Sequence, residues 1–557
     1  MFENFAIVDI IRIFAILNTV RLVQLVEHQI VVLGVVGSSP TSHPKAKNRL
    51  RSRFFRFYCA YLHCMNHRLK KALPTLGLGV LTFALFAFRF PGHLYFHEQM
   101  QLLPLTGQYF LKTVPVPSGL ADWTGEFCAQ FLWNAPLGAL VAALLVCGLH
   151  LMICASGSDH TAERNAAALL PCVLAVRGLL TQEALLAGIT ALILALALSL
   201  VPRAFKRNAL RTASTLTLIP IAYMVCGPMA IVTAVCTVGS EWRRRGSMPT
   251  IAAIGSAALL AASWWISTYL FPFPAGRLAQ GLHYVRTEAF AFWPWITAAT
   301  ATLVALLPGI KAARSWHSPA LAALALVAAI ALWNPAKARE LEPVMELDHL
   351  ADLRDWDGIL GKNDISRERV SLHTIAARNL AMACKGVLAD RISSTPQAGP
   401  DGLVLPFNMG YFARTLDCEI FYAMGLASQA QRYAFETNMS MPDYRESSRC
   451  WRHLAETNIV GGYYEAALKY LEPLSHTLKY RGWALERIEL LKDPAKVAAH
   501  PEYGLVRARS PRAFDSLFNL DDLPHTLGLM LLQYKNNPVA MQYIHAIQGL
   551  NQKSAEK

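Results

Sequence analysis

The sequence predicts an all-α protein in which a polytopic helical membrane domain at residues 65–335 is followed by a soluble helical domain at residues 336–557, here called the tail. Apolar residues make up 54% and charged residues 16%, whereas soluble domains carry about 25% charged residues. The mean hydropathy is +0.30. The net charge of +14 belongs to the first 335 residues, because the tail holds 26 Lys/Arg against 27 Asp/Glu. Lipid therefore solvates the apolar excess of the first part.

Residues 1–64 are expected to be a spurious or disordered extension. Four charged residues interrupt their apolar stretch 5–36, and each costs roughly 2.5–3.5 kcal/mol at the centre of a span: Asp9, Arg12, Arg21 and Glu27. The stretch 35–44, VVGSSPTSHP, resembles a transfer RNA gene read as protein. We expect the protein to start at Met65; the alternative is a basic, flexible cytoplasmic leader.

About nine spans follow from the need for some twenty apolar residues to cross a bilayer, with shorter helices where they pair. They are 72–90, 136–155, 165–180, 183–202, 213–226, 228–241, 249–271, 291–310 and 318–334. The apolar run 213–241 is divided at Gly227-Pro228, because proline removes a backbone hydrogen bond and kinks or ends a helix.

Orientation follows from the basic loops, since short loops rich in Lys and Arg stay in the cytoplasm. The basic clusters are Arg68/Lys70/Lys71, Arg203/Lys206/Arg207/Arg211, Arg243/Arg244/Arg245 and Lys311/Arg314. Only the division at Gly227-Pro228 places the second and third clusters on one side. Nine crossings then put the tail outside, which predicts a bacterial inner-membrane protein with a periplasmic C-terminal domain.

Nucleic acid is not an expected partner, because the basic residues flank the spans rather than forming a binding face. The 11 cysteines include no C-x-x-C pair. We therefore expect no metal and no cofactor.

The tail is expected to consist of helical pairs. In residues 444–480 a helix with Trp451 and Leu454 precedes one with Ala466-Ala467, Tyr470 and Leu471. This pattern is similar to the tetratricopeptide repeat, in which a large residue of one helix packs on small residues of the next. Weaker versions occupy 356–390 and 411–437. Such repeats stack into a solenoid whose concave face binds a partner; the alternative is an irregular helical bundle.

The loop 91–135 carries the most notable polar residues of the membrane part. Glu98, Asp122 and Glu126 are the only carboxylates between Met65 and Ala155. A loop of this length is long for a mere connection, and long loops on rigid scaffolds often carry function.

Two resemblances rest on these segments. The motifs FHEQMQL, GQYF, SGLADWTGEF and QFLW, with NLAMACKG and GGYYEAALKYLEPL in the tail, resemble an uncharacterised bacterial family of multi-pass membrane proteins with a tetratricopeptide-like C-terminus, over roughly Leu73–Asn551. The chain also resembles, more weakly, GT-C type membrane glycosyltransferases, which use polyprenyl-phosphate sugars and carry an acidic pair in a long first outside loop.

The glycosyltransferase resemblance implies roles for seven residues. Glu98 would be the general base toward an acceptor hydroxyl, and Asp122 or Glu126 would orient the acceptor or a metal ion. Arg277 and Arg286 would bind the lipid phosphate, and His97 and His283 would contribute to the same substrate site. This sequence departs from the family pattern, because Gln99 follows Glu98 where a second acid is usual. That departure puts metal dependence and catalysis in doubt.

Structural roles are the alternative for the same residues. Glu98 could fasten the loop through His93, His97 or a backbone amide, and Asp122 and Glu126 could cap an interfacial helix. The expected partners are membrane lipid, a polyprenyl-phosphate sugar, and a protein that binds the repeat domain. Two functions therefore stay open: a GT-C-like glycosyltransferase, and a non-enzymatic membrane-anchored scaffold that presents its tail to a periplasmic or surface partner.

Overall fold

A computed structural model describes residues 72–157, 162–286, 291–307, 335–362, 371–440, 445–511 and 523–555. Most of these residues are helical, and the described ranges contain isolated β-bridges but no strand, which confirms the all-α class. The predicted span 318–334 and the extension 1–64 lie outside the described residues.

The membrane part contains thirteen described helices: α1 (Ala72–Arg89), α2 (Pro91–Gln99), α3 (Gly107–Thr113), α4 (Gly119–Ala129), α5 (Ala135–Ser156), α6 (Ala162–Ala167), α7 (Leu169–Leu179), α8 (Leu186–Leu198), α9 (Asn208–Cys226), α10 (Ala230–Arg245), α11 (Thr250–Leu270), α12 (Ala275–Gln280) and α13 (Phe292–Leu306). Helices α2, α3 and α4 form the loop between α1 and α5.

Five helical segments of the described residues are long and apolar enough to cross a membrane: α1, α5, Leu186–Ala204, the α9–α10 segment Asn208–Arg245 and α11. This count is below the nine predicted spans. The predicted span 165–180 is divided between α6 and the 11-residue α7, and 291–310 yields only the 15 residues of α13. At 1.5 Å per residue, α13 measures about 22 Å, which is less than the roughly 30 Å of a bilayer core.

The segment Asn208–Arg245 folds back on itself, as the proline at position 228 predicts. Gly227 adopts φ +58°, and a side chain there would collide with Ser118 Oγ. Arg211 at the start of α9 pairs with Glu241 near the end of α10. The two helices are therefore antiparallel, and the basic clusters 203–211 and 243–245 lie at the same end.

The described part of the tail contains α14 (Ala336–Asp352), α15 (Trp356–Gly361), α16 (Leu372–Cys384), α17 (Leu388–Arg391), α18 (Tyr411–Met424), α19 (Ala427–Met439), α20 (Ser448–Gly461), α21 (Tyr464–Leu474), α22 (Arg481–Leu490), α23 (Pro494–Ala499), α24 (Tyr503–Arg509), α25 (Leu523–Gln533) and α26 (Pro538–Ala555). The pair α20 and α21 forms as the sequence predicts, and the Trp451 ring meets Tyr470 edge-on, with centroids 5.3 Å apart. That the pairs constitute a tetratricopeptide-like repeat stays a prediction.

The tail packs directly on the loop between α1 and α5. Glu342 of α14 accepts hydrogen bonds from Gly92 N and His93 Nδ1, each at 2.5 Å. The Tyr95 ring stacks on His349 with centroids 3.7 Å apart. Leu102 of the loop belongs to the hydrophobic core of the tail. Residues 71–557 accordingly form one compact unit.

Candidate functional site

The two acids of α4 face the tail. Asp122 and Glu126 lie one turn apart, and both are buried. Between them Gly125 packs against the backbone of Ala187, where a side chain would collide with the start of α8. Arg445 binds both acids: Nη1 donates to Glu126 Oε1 at 3.0 Å, and Nη2 donates to Asp122 Oδ1. One guanidinium thus joins the loop to a segment 319 residues beyond Glu126.

Two further groups complete this cluster. The Tyr109 hydroxyl donates to Glu126 Oε2 at 2.9 Å, and His283 Nε2 lies 3.6 Å from Asp122 Oδ2. Burial and the neighbouring charge of Asp122 raise the pKa of Glu126 to about 8, although Arg445 opposes this shift. Burial lowers the pKa of Arg445, but the two acids outweigh burial and raise it. Glu126 is therefore a carboxyl whose pKa lies close to neutral pH.

Glu98, the predicted general base, forms an ion pair with the tail. Its Oε2 lies 2.8 Å from Lys479 Nζ, which in turn lies 3.6 Å from Asp352 Oδ2. Burial raises the pKa of Glu98, while Lys479 opposes the shift. Burial lowers the pKa of Lys479, but the charge of Glu98 outweighs it, so that the ammonium stays protonated. A tail cation thus binds the carboxylate that was predicted to act as the general base.

His97 and Arg286 bind one another and the backbone. His97 Nε2 donates to Leu179 O at 2.9 Å, so its Nδ1 carries no proton and accepts from Arg286 Nη2 at 3.0 Å. Burial and the charge of Arg286 lower the pKa of His97 to about 3, which keeps the ring neutral. Arg286 also donates to the carbonyls of Gln182 (Nε, 3.1 Å) and Met100 (Nη1, 3.0 Å).

Arg277, the other predicted phosphate ligand, binds the backbone of the segment that carries His283 and Arg286. Its Nη2 donates to the carbonyls of Leu282 at 2.9 Å and Val285 at 3.4 Å. These carbonyls belong to an irregular segment that lacks helical hydrogen bonds. The guanidinium satisfies them, which fixes the turn that follows α12.

A buried network of charges in the tail was not anticipated from the sequence. It centres on one face of α20 and includes residues of three other segments: Arg449, Arg452, His453 and Glu456, with Asp348, Asp352, Arg354 and Glu419. Arg449 is completely buried, and its Nη1 lies 2.5 Å from Asp348 Oδ2. The spacing 449, 452, 453 and 456 places charged residues on a single helical face, which was the signal available in the sequence.

Three members of this network have donor atoms that lie within 4.8 Å of one another: Asp352, Glu419 and His453. Cations of the chain already compensate both carboxylates. Arg452 lies 3.1 Å from Asp352 and 2.7 Å from Glu419. Burial raises the pKa of Asp352, but Arg452 and the other adjacent cations outweigh burial and lower it. A divalent ion would lie beside this positive charge, so the residues do not fit a metal site.

The predicted site residues line different spaces. His97, Asp122, Glu126 and Arg286 adjoin one crevice of about 10 Å³ together with Arg445. Glu98 adjoins another crevice of about 10 Å³ beside Lys479. Each crevice has room for roughly one water molecule. The structure therefore brings the α4 acids together with His97, His283 and Arg286, and places Glu98 in a separate crevice.

Comparison with known proteins gives a family but no activity. The family of unknown function DUF6057 matches residues 67–553, and the chain belongs to this family. No curated protein and no solved structure matches the chain.

Proposed function

We propose that this member of the DUF6057 family is a membrane-anchored scaffold. Its loop acids hold a helical tail in a fixed position, and the tail presents a surface to a partner protein. One observation carries the proposal: Glu98 and Asp122 are ion-paired with Lys479 and Arg445 of the tail, and Arg445 also donates a hydrogen bond to Glu126. Breaking a buried ion pair costs about 3–5 kcal/mol, so these contacts constrain where the tail lies.

The proposal includes a topology of about nine spans in a bacterial inner membrane, with the tail in the periplasm. The antiparallel pair α9 and α10 supports it, because both of its basic ends lie together as cytoplasmic loops require. We expect Lys492→Cys, at an exposed tail position, to react with a membrane-impermeant maleimide in spheroplasts. Arg207→Cys should react only after lysis. The reverse labelling pattern would reject the topology.

The proposal extends to the partner site. The stacked tail helices α18 to α21 are expected to form a tetratricopeptide-like solenoid, and such solenoids bind peptides or protein domains rather than performing chemistry. The partner is therefore expected to be a protein of the periplasm or cell surface.

Replacing both members of one ion pair by uncharged residues distinguishes the scaffold hypothesis from the enzyme hypothesis. Glu98→Gln alone leaves the buried Lys479 without its nearer carboxylate, whereas Glu98→Gln with Lys479→Met removes both charges of the pair. In a strain that lacks the chromosomal copy of the gene, the double variant should restore the phenotype lost by the deletion better than Glu98→Gln does. A double variant that is folded and abundant in the membrane, yet fails to complement, would show that the carboxylate itself is needed and would reject the scaffold.

Glycosyl transfer from a polyprenyl-phosphate sugar is the second candidate, and the pKa of Glu126 favours it. A carboxyl with a pKa of about 8 is suited to general acid–base catalysis near neutral pH. Glu126 also shares its crevice with His97 and Arg286, two of the predicted substrate ligands. On this reading Glu126, rather than Glu98, would be the reacting carboxyl.

Formation of a glycan or glycolipid tests this candidate. Glu126→Gln should abolish the product in a strain that makes it with the wild-type protein, while the variant stays folded and abundant. Tyr109→Phe removes the hydroxyl that binds the same carboxylate and serves as the matched control, because it leaves the carboxyl in place. Normal product from Glu126→Gln would eliminate glycosyl transfer at this residue.

A further inference from the structure

A second polar region lies at the opposite end of the membrane helices from the loop acids. Helix α5 begins at Ala135, directly after the loop, and ends at Ser156. At its end the guanidinium of Arg203 donates to the carbonyls of Ala155 (2.9 Å) and Ser156. The 22 residues of α5 span about 33 Å at 1.5 Å per residue, close to the thickness of a bilayer core.

This end contains a cavity of about 180 Å³, which we call the arginine pocket. It is lined by Arg203, Arg211, Ser240, Arg243 and Arg244. One water molecule needs only roughly 10–15 Å³ of such space, so the pocket can hold a larger group. The crevices at the loop acids are more than tenfold smaller, at about 10 Å³ each.

Among the described residues of this region, arginines outnumber acids. Glu241 is the only acid between Ser199 and Pro249. Its carboxylate already binds three guanidinium groups, those of Arg211, Arg244 (2.7 Å) and Arg245 (2.9 Å). The lining therefore combines four arginines with one neutral hydroxyl, and its net charge is positive.

Backbone contacts hold the arginines in place. Arg243 donates to the carbonyls of Leu306 at 2.8 Å and Ala305 at 3.2 Å, at the end of α13, as Arg203 does at the end of α5. Helix C-termini carry partial negative charge that attracts cations. Arg211, Arg244 and Arg245 share the single negative charge of Glu241, so an anion in the pocket would be stabilised.

We propose that the arginine pocket binds a phosphate group, supplied by the headgroup of an anionic phospholipid. Guanidinium groups match phosphate oxygens with paired donors, and basic pockets between membrane helices on the cytoplasmic side bind anionic headgroups. The pocket lies at the membrane end that the basic clusters assign to the cytoplasm. A free phosphate compound has the same chemistry and is the other source to test.

Two matched pairs of variants test the pocket without depending on one substitution. Arg244→Gln removes a lining charge, and Arg207→Gln removes an exposed charge of the same segment that does not line the pocket. Ser240→Asp adds a carboxylate to the lining while every arginine remains, and Ser240→Asn is its uncharged counterpart. The second pair keeps the test valid if Arg244→Gln fails to fold.

Purified protein is reconstituted in vesicles of phosphatidylcholine and phosphatidylglycerol, extracted in detergent, and weighed by native mass spectrometry. We expect wild type, Arg207→Gln and Ser240→Asn to retain phosphatidylglycerol, and Arg244→Gln and Ser240→Asp to retain roughly tenfold less, as loss of a charge-assisted contact implies. In parallel, inorganic phosphate is titrated by calorimetry into protein in phosphatidylcholine nanodiscs. If the same differences among the variants appear for inorganic phosphate but not for phosphatidylglycerol, the pocket is a site for free phosphate. Binding of neither probe, or equal loss in Arg207→Gln and Arg244→Gln, would overturn the proposal.

Discussion

The loop–tail junction, where the loop acids meet cations of the tail, differs from the arginine pocket in how its charges are balanced. At the junction, three loop acids meet Arg445 and Lys479 of the tail, and the space between them is about the size of a water molecule. In the arginine pocket, four guanidinium groups surround a cavity of about 180 Å³ with Glu241 as the adjacent acid. Paired charges in a closed space hold parts of a protein together, whereas several arginines that share one acid beside an open pocket favour an anionic ligand.

The largest effect is expected in the buried network that continues the junction into the tail. Arg449→Met removes the completely buried guanidinium that pairs with Asp348 and Asp352. The variant should lower the free energy of unfolding by about 3–5 kcal/mol. Arg432→Met removes an exposed pair with Glu436 and should cost less than about 1 kcal/mol. Denaturant unfolding in detergent measures both. Equal losses would show that the buried network does not stabilise the tail.

A glycine at each end of the α9–α10 pair gives the next comparison. Gly227→Ala meets both a positive φ and the side chain of Ser118, and it should cost roughly 1–3 kcal/mol. Gly246→Ala also has a positive φ, but no atom lies within 4 Å of the added carbon, and it should cost about 1 kcal/mol. Thermal unfolding of the two variants separates packing from backbone strain. A larger loss at Gly246 would contradict the tight contact described at Gly227.

The stability of the loop–tail junction should depend on pH in a range in which arginines stay charged. Burial raises the pKa of Glu126 from 4.5 to about 8, so between these values the folded state holds a proton that the unfolded state lacks. The contribution of this carboxyl to stability is therefore greatest below pH 4.5 and is lost as pH rises to about 8. Glu126→Gln should flatten the profile of unfolding midpoint against pH across this window, and Arg244→Gln should not. An unchanged profile in Glu126→Gln would exclude this carboxyl as the source.

The smallest effect on stability is expected in the arginine pocket. The side chain of Arg244 is 38% exposed, and its partner Glu241 keeps the contacts of Arg211 and Arg245. In phosphatidylcholine alone, Arg244→Gln should change the free energy of unfolding by less than about 1 kcal/mol. Unfolding that becomes several kcal/mol easier would assign Arg244 to the structure rather than to a ligand.

The sequence predicts the helical class and several local features. The helix break at Gly227-Pro228 was predictable because proline and a positive φ act within a few residues. The count of spans was less predictable, because the short helices α6, α7 and α13 pack against neighbours and need not satisfy the length of a lone span.

The candidate site was only half predictable. The scarcity of acids in the membrane part drew attention to Glu98, Asp122 and Glu126, but their partners Arg445 and Lys479 follow more than 300 residues later. A single sequence holds no local signal for such a pairing. Phosphate binding by Arg277 and Arg286 was an implication of the glycosyltransferase resemblance. Both arginines instead bind carbonyl groups of irregular backbone segments, and the positions of such segments could not be predicted from the sequence.

A double-mutant cycle between Asp122 and Arg445 tests most directly whether the loop acids are structural partners of the tail. The free energies of unfolding of Asp122→Asn, Arg445→Met and the double variant are compared with that of the wild type in the same detergent. Because Arg445→Met leaves the carboxylate of Asp122 buried without its guanidinium partner, the double variant should lose less than the sum of the single losses, with a coupling energy of about 1–3 kcal/mol. Additive losses would mean that the two residues do not stabilise one another and would contradict the proposed anchoring of the tail.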